Sequence, residues 1–329
     1  MAYVFVKYEC RAPAATTSVS LAQMYDTTLE QIAWIDSLGL PVTINFCEHH
    51  GIDDNYLPSP MVLAAAAARV TRHVRLQVNV LLPYLDPLRV AEDVAVLDHL
   101  SHGRAEVLLL GGYVSSELAM FGVDPKQRGL LMDEGVRALK EAWTGEPFTY
   151  RGRPARIFPR PLQLPHPPIF MGGSAAPAAR RAARDGDAFI GGMPHLNEIY
   201  VSECHALGRQ PRYSGELTMG FLYVSEDPER DWARIAPFCL YETNCYARWQ
   251  QSSTLDMLFS SAMDADQLKQ IGTYQVMRPK DALERAARMA ANDTIILHPL
   301  VGGLDADLSW ATLRNFFEKV APQLSMNHI

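Results

Sequence analysis

The chain has 329 residues, and its 30 Lys and Arg against 37 Asp and Glu give a net charge of −7. A composition of 48% hydrophobic and 20% charged residues is that of an ordinary globular protein, which excludes a disordered or fibrous chain. This length fits two domains or one large α/β barrel. A mildly acidic chain has no electrostatic reason to bind nucleic acid or an anionic membrane, so we expect neither as a partner.

The N-terminal segment and the cysteines indicate the compartment. Lys7, Glu9 and Arg11 interrupt the only apolar stretch of the first twenty residues, so we expect no signal peptide. No window approaches the roughly eighteen apolar residues of a membrane-spanning helix. Five scattered cysteines without a CxxC pair indicate neither a disulfide framework nor a structural zinc site. We therefore expect a reduced, cytoplasmic protein that holds no metal.

Strand-like and helix-like segments alternate along the chain. The strands are apolar throughout, which is typical of a parallel sheet covered on its faces by helices. In chain order, the eight predicted strands lie near residues 3, 42, 74, 105, 169, 188, 217 and 295, and predicted helices cover residues 21–33, 58–68, 90–97, 178–184, 196–207 and 308–320.

Eight strand–helix units in about 300 residues predict an α/β fold of the TIM (β/α)8 barrel type with insertions, as one domain over residues 1–329. A doubly wound sheet is the alternative, but no GxGxxG follows the first strand. Residues 144–168 and 240–276 exceed a minimal barrel, and long insertions are usually lids or binding loops. We expect residues 240–276 to form a lid; the alternative is a helical decoration.

The run Glu48-His49-His50 follows the second predicted strand, at the end where barrel enzymes place their reactive groups. Consecutive strand residues point to opposite faces, so the three side chains are poorly suited to one metal ion. A histidine at a strand end is suited to proton transfer, and we assign that role to His49. Structural hydrogen bonding is the alternative, and for His50 it is the favoured one.

Glycine pairs mark the ends of several predicted strands. Gly172, Gly173 and Ser174 lie where a strand turns into a helix that starts with Ala175. Free N–H groups at a helix N-terminus attract anions, and glycines let a phosphate approach the backbone. A plain helix cap at Ser174 is the alternative. The pairs at 111–112 and 191–192 indicate either close backbone approach to a ligand or tight turns.

At these residues the chain resembles the bacterial luciferase-like flavin monooxygenase family. The resemblance covers most of the chain and includes Glu48-His49-His50. It is densest in LPYLDPLRVAEDVAVLDHLSHGR at residues 82–104 and GGYVSSELAMFGVD at residues 111–124, and it resumes with PLQLPHPPIFMGGSAAPAARRAARDGDAF from residue 161 and GTYQVMRPKDALERAARMA from residue 272.

The resemblance implies a TIM barrel that binds reduced FMN, delivered by a separate flavin reductase, at its C-terminal mouth. It implies that the flavin reacts with dioxygen to give a hydroperoxide, which oxygenates a small organic substrate by hydroxylation or a Baeyer–Villiger reaction. It further implies a homodimer formed through helices after the first strands, where the alanines of residues 64–68 would allow close packing.

The resemblance also assigns residues. His49 matches the acid/base beside the flavin and Glu117 a supporting acid, while Val78 and Asn79 match a strand position that often carries a non-proline cis peptide. Leu110 and Gly111 replace a cysteine and an arginine of the luciferases, which disfavours light emission. The remaining assignments are Gly172, Gly173, Ser174 and Ala175 at the flavin phosphate, Gly191 at the cofactor, and Tyr113, Tyr241, Tyr246 and Trp249 as substrate-facing or lid residues.

Two other functions stay open at this point. A deazaflavin-dependent oxidoreductase of the same superfamily would transfer a hydride and ignore dioxygen. A flavin-binding protein without catalysis is the second alternative, and the presence of His49 and Glu117 argues against it.

Overall fold

The computed structural model describes residues 2–191, 193–213, 215, 217, 219–250, 259–290 and 292–329. Among these residues, no helix combines the length and apolar character that a membrane crossing requires.

Most strands of the described chain join one parallel sheet, and a short antiparallel hairpin stands apart from it. The sheet runs in the order β10-β9-β11-β1-β2-β3-β4-β7-β8, with β12 beside β1, and the hairpin is formed by β5 and β6. The strands are β1 (Ala2–Tyr8), β2 (Val42–Phe46), β3 (Arg75–Leu81), β4 (Ala105–Leu110), β5 (Phe148–Tyr150), β6 (Arg153–Ala155), β7 (Ile169–Gly172), β8 (Ala188–Ile190), β9 (Phe221–Val224), β10 (Tyr274–Met277), β11 (Thr294–Leu297) and β12 (Met326–Asn327).

Helices connect the parallel strands, as right-handed strand–helix–strand units require. They are α1 (Leu21–Ser37), α2 (Pro60–Val70), α3 (Pro87–Ser101), α4 (Ser115–Met120), α5 (Arg128–Trp143), α6 (Ala176–Asp185), α7 (Pro194–Ala206), α8 (Pro228–Gln250), α9 (Ala265–Ile271), α10 (Pro279–Ala286) and α11 (Ala306–Asn315).

The parallel α/β sheet predicted from the sequence is confirmed. From β1 to β8 the strands of the sheet neighbour one another in sequence order, without the reversal of a doubly wound sheet. Seven of the eight predicted strands lie where expected, while the seventh begins at Phe221 instead of residue 217. The parallel strand β10 was not predicted, because three of its four residues fall inside the stretch interpreted as an insertion.

Both faces of the sheet are buried, which explains why apolar residues occupy both faces of the strands. Alternate side chains of a strand point to opposite faces. Val4 and Val6 of β1 belong to the large core beneath the helices, whereas Phe5 packs on the other face with Leu108 and Phe170.

Residues 240–276 do not form a single loop. Their first part continues α8, their last part forms α9 and β10, and residues 251–258 lie outside the described chain. The other predicted excursion, residues 144–168, contains the β5–β6 hairpin.

The alanines of α2 pack on their own chain. Ala64, Ala67 and Ala68 are fully buried, so these three alanines are not exposed for contact with a second copy. The outer face of the helix instead carries Val62 and Val70, which are 71% and 47% exposed.

Arg104, the last residue of the dense motif at 82–104, is buried and joins α2 to β4. Its guanidinium donates to the carbonyl oxygens of Val74 at 2.7 Å and Thr71 at 3.0 Å, and its Nε donates to Ser101 O at 2.8 Å. The Ser101 carbonyl belongs to the last residue of α3 and the Thr71 carbonyl to the C-cap of α2, positions where helices leave acceptors unsatisfied. The motif therefore ends on a structural residue.

Arg104→Met is expected to lower the free energy of unfolding by about 3 kcal/mol, because it leaves several buried carbonyl groups without a donor. Urea denaturation of the variant and the wild type measures the difference. Arg89→Met, at an arginine whose side chain is 68% exposed, is the control and should change the free energy little. Equal stability of Arg104→Met and wild type would contradict this role.

Candidate active site

A histidine and a glutamate from different segments meet where the sheet ends. His49 follows β2, and Glu117 lies in the first turn of α4. The His49 Nδ1 is 2.7 Å from Glu117 Oε1, which also accepts the backbone N–H of His50 at 3.0 Å. Both side chains are buried. The structure thus brings together the two residues assigned to catalysis.

This pairing orients the imidazole. A carboxylate that accepts from Nδ1 fixes the tautomer in which Nδ1 carries the proton and Nε2 is the acceptor. The residues on either side of His49 are fixed as well. Glu48 accepts the Leu81 N–H at 2.5 Å through Oε2 and lies 3.1 Å from His50 Nε2 through Oε1. His50 therefore makes structural contacts, which agrees with the favoured interpretation for it.

Aromatic rings surround the His49 imidazole. The ring centroids of Tyr56 and Trp249 lie 4.8 Å from it, Tyr113 lies at 5.7 Å and Tyr246 at 6.0 Å. Three of these rings were named from the sequence as substrate-facing or lid residues. Tyr241 was named too, but its hydroxyl instead donates to Asp54 at 2.9 Å.

A buried arginine holds the aromatic wall in place. The Arg11 guanidinium lies 5.2 to 5.6 Å from the ring centroids of Tyr56, Tyr246 and Trp249. Its Nε donates to Asp54 at 2.8 Å. Cation–π contacts of this kind gain strength when the cation is removed from water.

A second set of buried charges continues from Arg11. Glu9, Glu242 and His298 bring three potential ligand atoms within 4.8 Å of one another, the arrangement of a metal site. Lys7 Nζ lies 2.9 Å from Glu242 and 3.6 Å from Glu9, so its positive charge already compensates both carboxylates. Burial alone would raise the pKa of Glu242, but His298 and Lys7 hold it well below its usual range. The charges favour an ion-pair network over a metal centre.

The predicted cis peptide between Val78 and Asn79 is wrong. Val78 pairs with Val107 and Asn79 with Leu108 in the regular ladder of β3 and β4. In the described chain, cis bonds occur only before Pro159 and Pro165. The Asn79 side chain accepts from Asn45 Nδ2 at 2.8 Å, so it belongs to a polar group on the face opposite the helices.

A cleft of about 250 Å³ lies at the end of β4, the strand that leads to Tyr113 of the histidine site. Gly111 and Gly112, which directly precede Tyr113, form one side of it, and the turn before α6 forms another. The turn consists of Gly172, Gly173, Ser174 and Ala175, all of which line the cleft. The residues assigned to phosphate binding are thus brought together with Gly111.

The start of α6 is uncapped. Its N-cap residue is Ala175, which has no side-chain acceptor, so the capping alternative for Ser174 does not hold. Gly173 is needed for close packing, since a Cβ there would lie 2.5 Å from Ala178 Cβ. Free N–H groups at the start of a helix attract an anion.

Two arginines that were not identified from the sequence complete the cleft. Arg128, at the start of α5, donates to the Gly112 carbonyl, and Arg181 of α6 donates to Asp133 at 2.7 Å. Both line the cleft. Arg181 follows Ala178 by three residues, so helical periodicity from the glycine turn places both on one face.

The other assigned residues lie at the edges of this arrangement. A Cβ added at Gly172 would contact the Leu110 side chain, so Leu110 packs beneath the turn. Gly191 follows β8 and lines a separate cavity of about 220 Å³ together with Lys7, Asn45 and Gln77. Tyr56, Glu9 and Arg11 were missed, although the last two directly follow the first strand, a position that could have identified them.

The cysteines take no part in the site. All five are buried, and burial raises the pKa of the Cys10 and Cys47 thiols to about 12. Such thiols stay protonated near neutral pH and are poor nucleophiles.

A buried His–Glu pair and a cleft lined by an uncapped helix start lie at strand ends of this parallel α/β sheet. Residues 4–296 match the family described as luciferase-like monooxygenase. The chain belongs to this family.

Several bacterial proteins are similar in sequence to parts of this chain. An uncharacterized protein y4wF of Sinorhizobium fredii is 35% identical over 51% of this chain and 50% of its own length. The FMNH(2)-dependent dimethylsulfone monooxygenase of Pseudomonas putida is 28% identical over 63% of this chain and 60% of its own. The chain spans about half the length of the first of these relatives.

Solved structures share the fold over the whole chain. The oxygenating constituent of 3,6-diketocamphane monooxygenase from Pseudomonas putida, a type II Baeyer–Villiger monooxygenase in complex with FMN, is 15% identical, with a TM-score of 0.74 over 100% of both chains. An F420-dependent secondary alcohol dehydrogenase is 14% identical, with a TM-score of 0.69 over 98% of this chain and 99% of its own.

Proposed function

We propose that the protein is a two-component monooxygenase that uses reduced FMN and dioxygen to oxygenate a small organic substrate. The buried His49–Glu117 pair beside an anion cleft carries this proposal, because it combines an oriented proton-transfer group with a phosphate site. Hydroxylation and a Baeyer–Villiger reaction both fit these residues.

The cleft at α6 fits the phosphate of FMN. The backbone N–H groups of Ala175 and Ala176, which precede Pro177, and the guanidinium groups of Arg128 and Arg181 are the donors that a phosphate monoester prefers. Gly111, where the luciferases carry an arginine, leaves room along the cleft. The flavin ring would then extend from the cleft past Tyr113 toward His49.

Bound reduced flavin would supply the electrons that activate dioxygen and the site of oxygen transfer. His49 Nε2, left free by the Glu117 contact, accepts or returns a proton at the reacting atoms. Tyr113, Tyr246 and Trp249 exclude water from the imidazole. We propose that residues 240–276 act as a lid. The described part of this stretch contains two of these rings, those of Tyr246 and Trp249.

The reducing equivalents require a partner, and we propose a separate flavin reductase. The diketocamphane monooxygenase protein that shares this fold is an oxygenating constituent, which supports this division of labour. We also propose that the sheet closes as an eight-stranded barrel. The Phe189 N–H donates to Arg212 O at 2.9 Å and the Gly215 N–H to Asn292 O at 2.5 Å, which supports closure through Arg212 and Gly215.

A deazaflavin-dependent hydride transfer is the second candidate. The fold shared with an F420-dependent alcohol dehydrogenase favours it, since that fold accepts both kinds of flavin.

The first prediction is anaerobic binding of reduced FMN in preference to reduced deazaflavin, followed by an oxygen-dependent transient absorbance that outlives that of free flavin. Stopped-flow mixing with oxygenated buffer measures it. Tight binding of reduced deazaflavin without any oxygen-dependent transient would replace the monooxygenase with the hydride-transfer enzyme.

His49→Ala is expected to retain FMN binding within about twofold and to slow product formation at least about 100-fold, because it removes the proton-transfer group but no phosphate donor. Equilibrium titration and product analysis separate the two effects. Turnover of the variant at the wild-type rate would contradict the role of His49.

Arg181→Gln is expected to raise the dissociation constant for FMN about tenfold, because a charge-assisted donor to the phosphate is lost. Fluorescence titration measures it. Arg180→Gln, one position away on the exposed side of α6, is the matched control. If both variants bind FMN equally well, the phosphate lies elsewhere.

We propose a homodimer formed through the outer face of α2. Val62 and Val70 are exposed and lie two helical turns apart, so they share that face. Light scattering is expected to give twice the mass of the chain, and Val62→Asp to shift the protein toward the monomer. A wild-type monomer at micromolar concentration would refute the dimer.

A further inference from the structure

Two buried oxygen atoms near His49 lack a hydrogen-bond partner among the described residues. One is Oε2 of Glu117, the oxygen that does not face His49, and the other is the hydroxyl of Tyr84. A buried polar atom without a partner costs free energy, and a carboxylate oxygen costs more than a neutral group. Such a pair of orphaned atoms calls for an explanation.

Packing alone fixes the Tyr84 ring. It stacks on Phe121 with centroids 4.9 Å apart and planes 6° from parallel, and it lies in a buried cluster with Leu81 and Leu118. Leu118 is the residue after Glu117 on α4, so the same cluster holds the carboxylate's helix against the ring.

Gly112 makes room for the hydroxyl. A Cβ at this position would lie 2.3 Å from Tyr84 Oη. The residue also has φ of +68°, a conformation that side chains disfavour. A glycine at this point therefore lets the phenol reach toward the end of β4, from which α4 and Glu117 follow.

We propose that Tyr84 is a positioning residue whose hydroxyl donates to Glu117 Oε2, so that Oε1 stays directed at His49 Nδ1. The inference rests on the proposed function for its catalytic consequence, but not for the hydrogen bond itself. Tyr84, Glu117 and His49 then form a relay in which the phenol fixes the carboxylate and the carboxylate fixes the imidazole.

The electrostatics around Tyr84 agree with a donor role. Burial and then the charge of Glu117 raise the pKa of the Tyr84 phenol well above its usual range, so the hydroxyl keeps its proton. Arg128 from α5 and Glu48 from the β2 end also face the phenol, with opposite effects on its pKa. His50 pairs with Glu48, and Tyr113 adds its hydroxyl near Glu117.

Tyr84→Phe tests the relay, because it removes the hydroxyl and keeps the ring stacking. We expect kcat to fall about tenfold while the dissociation constant for FMN stays unchanged, as loss of one hydrogen bond to a charged group implies. Tyr150→Phe is the matched control, since Tyr150 also has a buried hydroxyl without a described partner but lies on the β5–β6 hairpin.

A second readout needs neither flavin nor turnover. In unliganded protein labelled with 15N-histidine, the His49 resonance, assigned by comparison with His49→Ala, is expected to report the tautomer with a proton on Nδ1. In Tyr84→Phe the carboxylate can rotate, and a mixture of tautomers should appear. If the flavin assays fail in the wild type but this change is seen, the relay stands and the proposed function falls.

Gly112→Ala provides a second variant. Its Cβ would displace the phenol and is expected to reproduce the kcat loss, and the double variant with Tyr84→Phe should lose no more than either single variant. Since the alanine also strains the backbone, Tyr84→Phe remains decisive if Gly112→Ala fails to fold. Wild-type kcat and an unchanged imidazole spectrum in Tyr84→Phe would overturn the proposal.

Discussion

The aromatic wall depends on one buried cation. Arg11 lies beneath Tyr56, Tyr246 and Trp249, and its charge is met by Asp54 on one side and Glu9 on the other. Removing one partner of such a group leaves an uncompensated buried charge, which is far costlier than replacing the whole group. The cation–π contacts of Arg11 with Tyr246 and Trp249 therefore hold α8 near the end of β1, and these two rings of α8 face the imidazole.

The candidate site is built at the ends of three strands of the same sheet. The β2 end supplies His49, the β4 end supplies the glycines that lead to Tyr113, and the β7 end supplies the turn before α6. Parallel strands place all their carboxyl ends on one edge of the sheet. The proposed phosphate cleft and proton-transfer residue therefore lie on the same edge, whatever the conformation of the loops between them.

The apolar strand pattern and the motifs predicted the parallel sheet and the glycine turn, because each depends on local sequence, whereas the roles of His49 and Glu117 followed from the family resemblance. Features that depend on contacts between distant segments were missed. β10 is too short to show a period. Arg11 cannot be distinguished from a surface arginine in the sequence, because its burial depends on α8. The cis peptide at Val78 was transferred from the family and failed, since these residues pair regularly with β4. Arg128 and Arg181 needed the helix positions that only the fold supplies.

The flanks of His49 have a consequence for ligand affinity. Glu48 is hydrogen-bonded to the β3 end and the His50 N–H to Glu117, so both neighbours of the imidazole are fixed before any ligand arrives. Ordering a loop and its side chains is a large part of what weakens association. Binding at this site therefore has little conformational entropy to lose, and affinity differences among ligands should follow their fit to the aromatic wall rather than their ability to order the histidine.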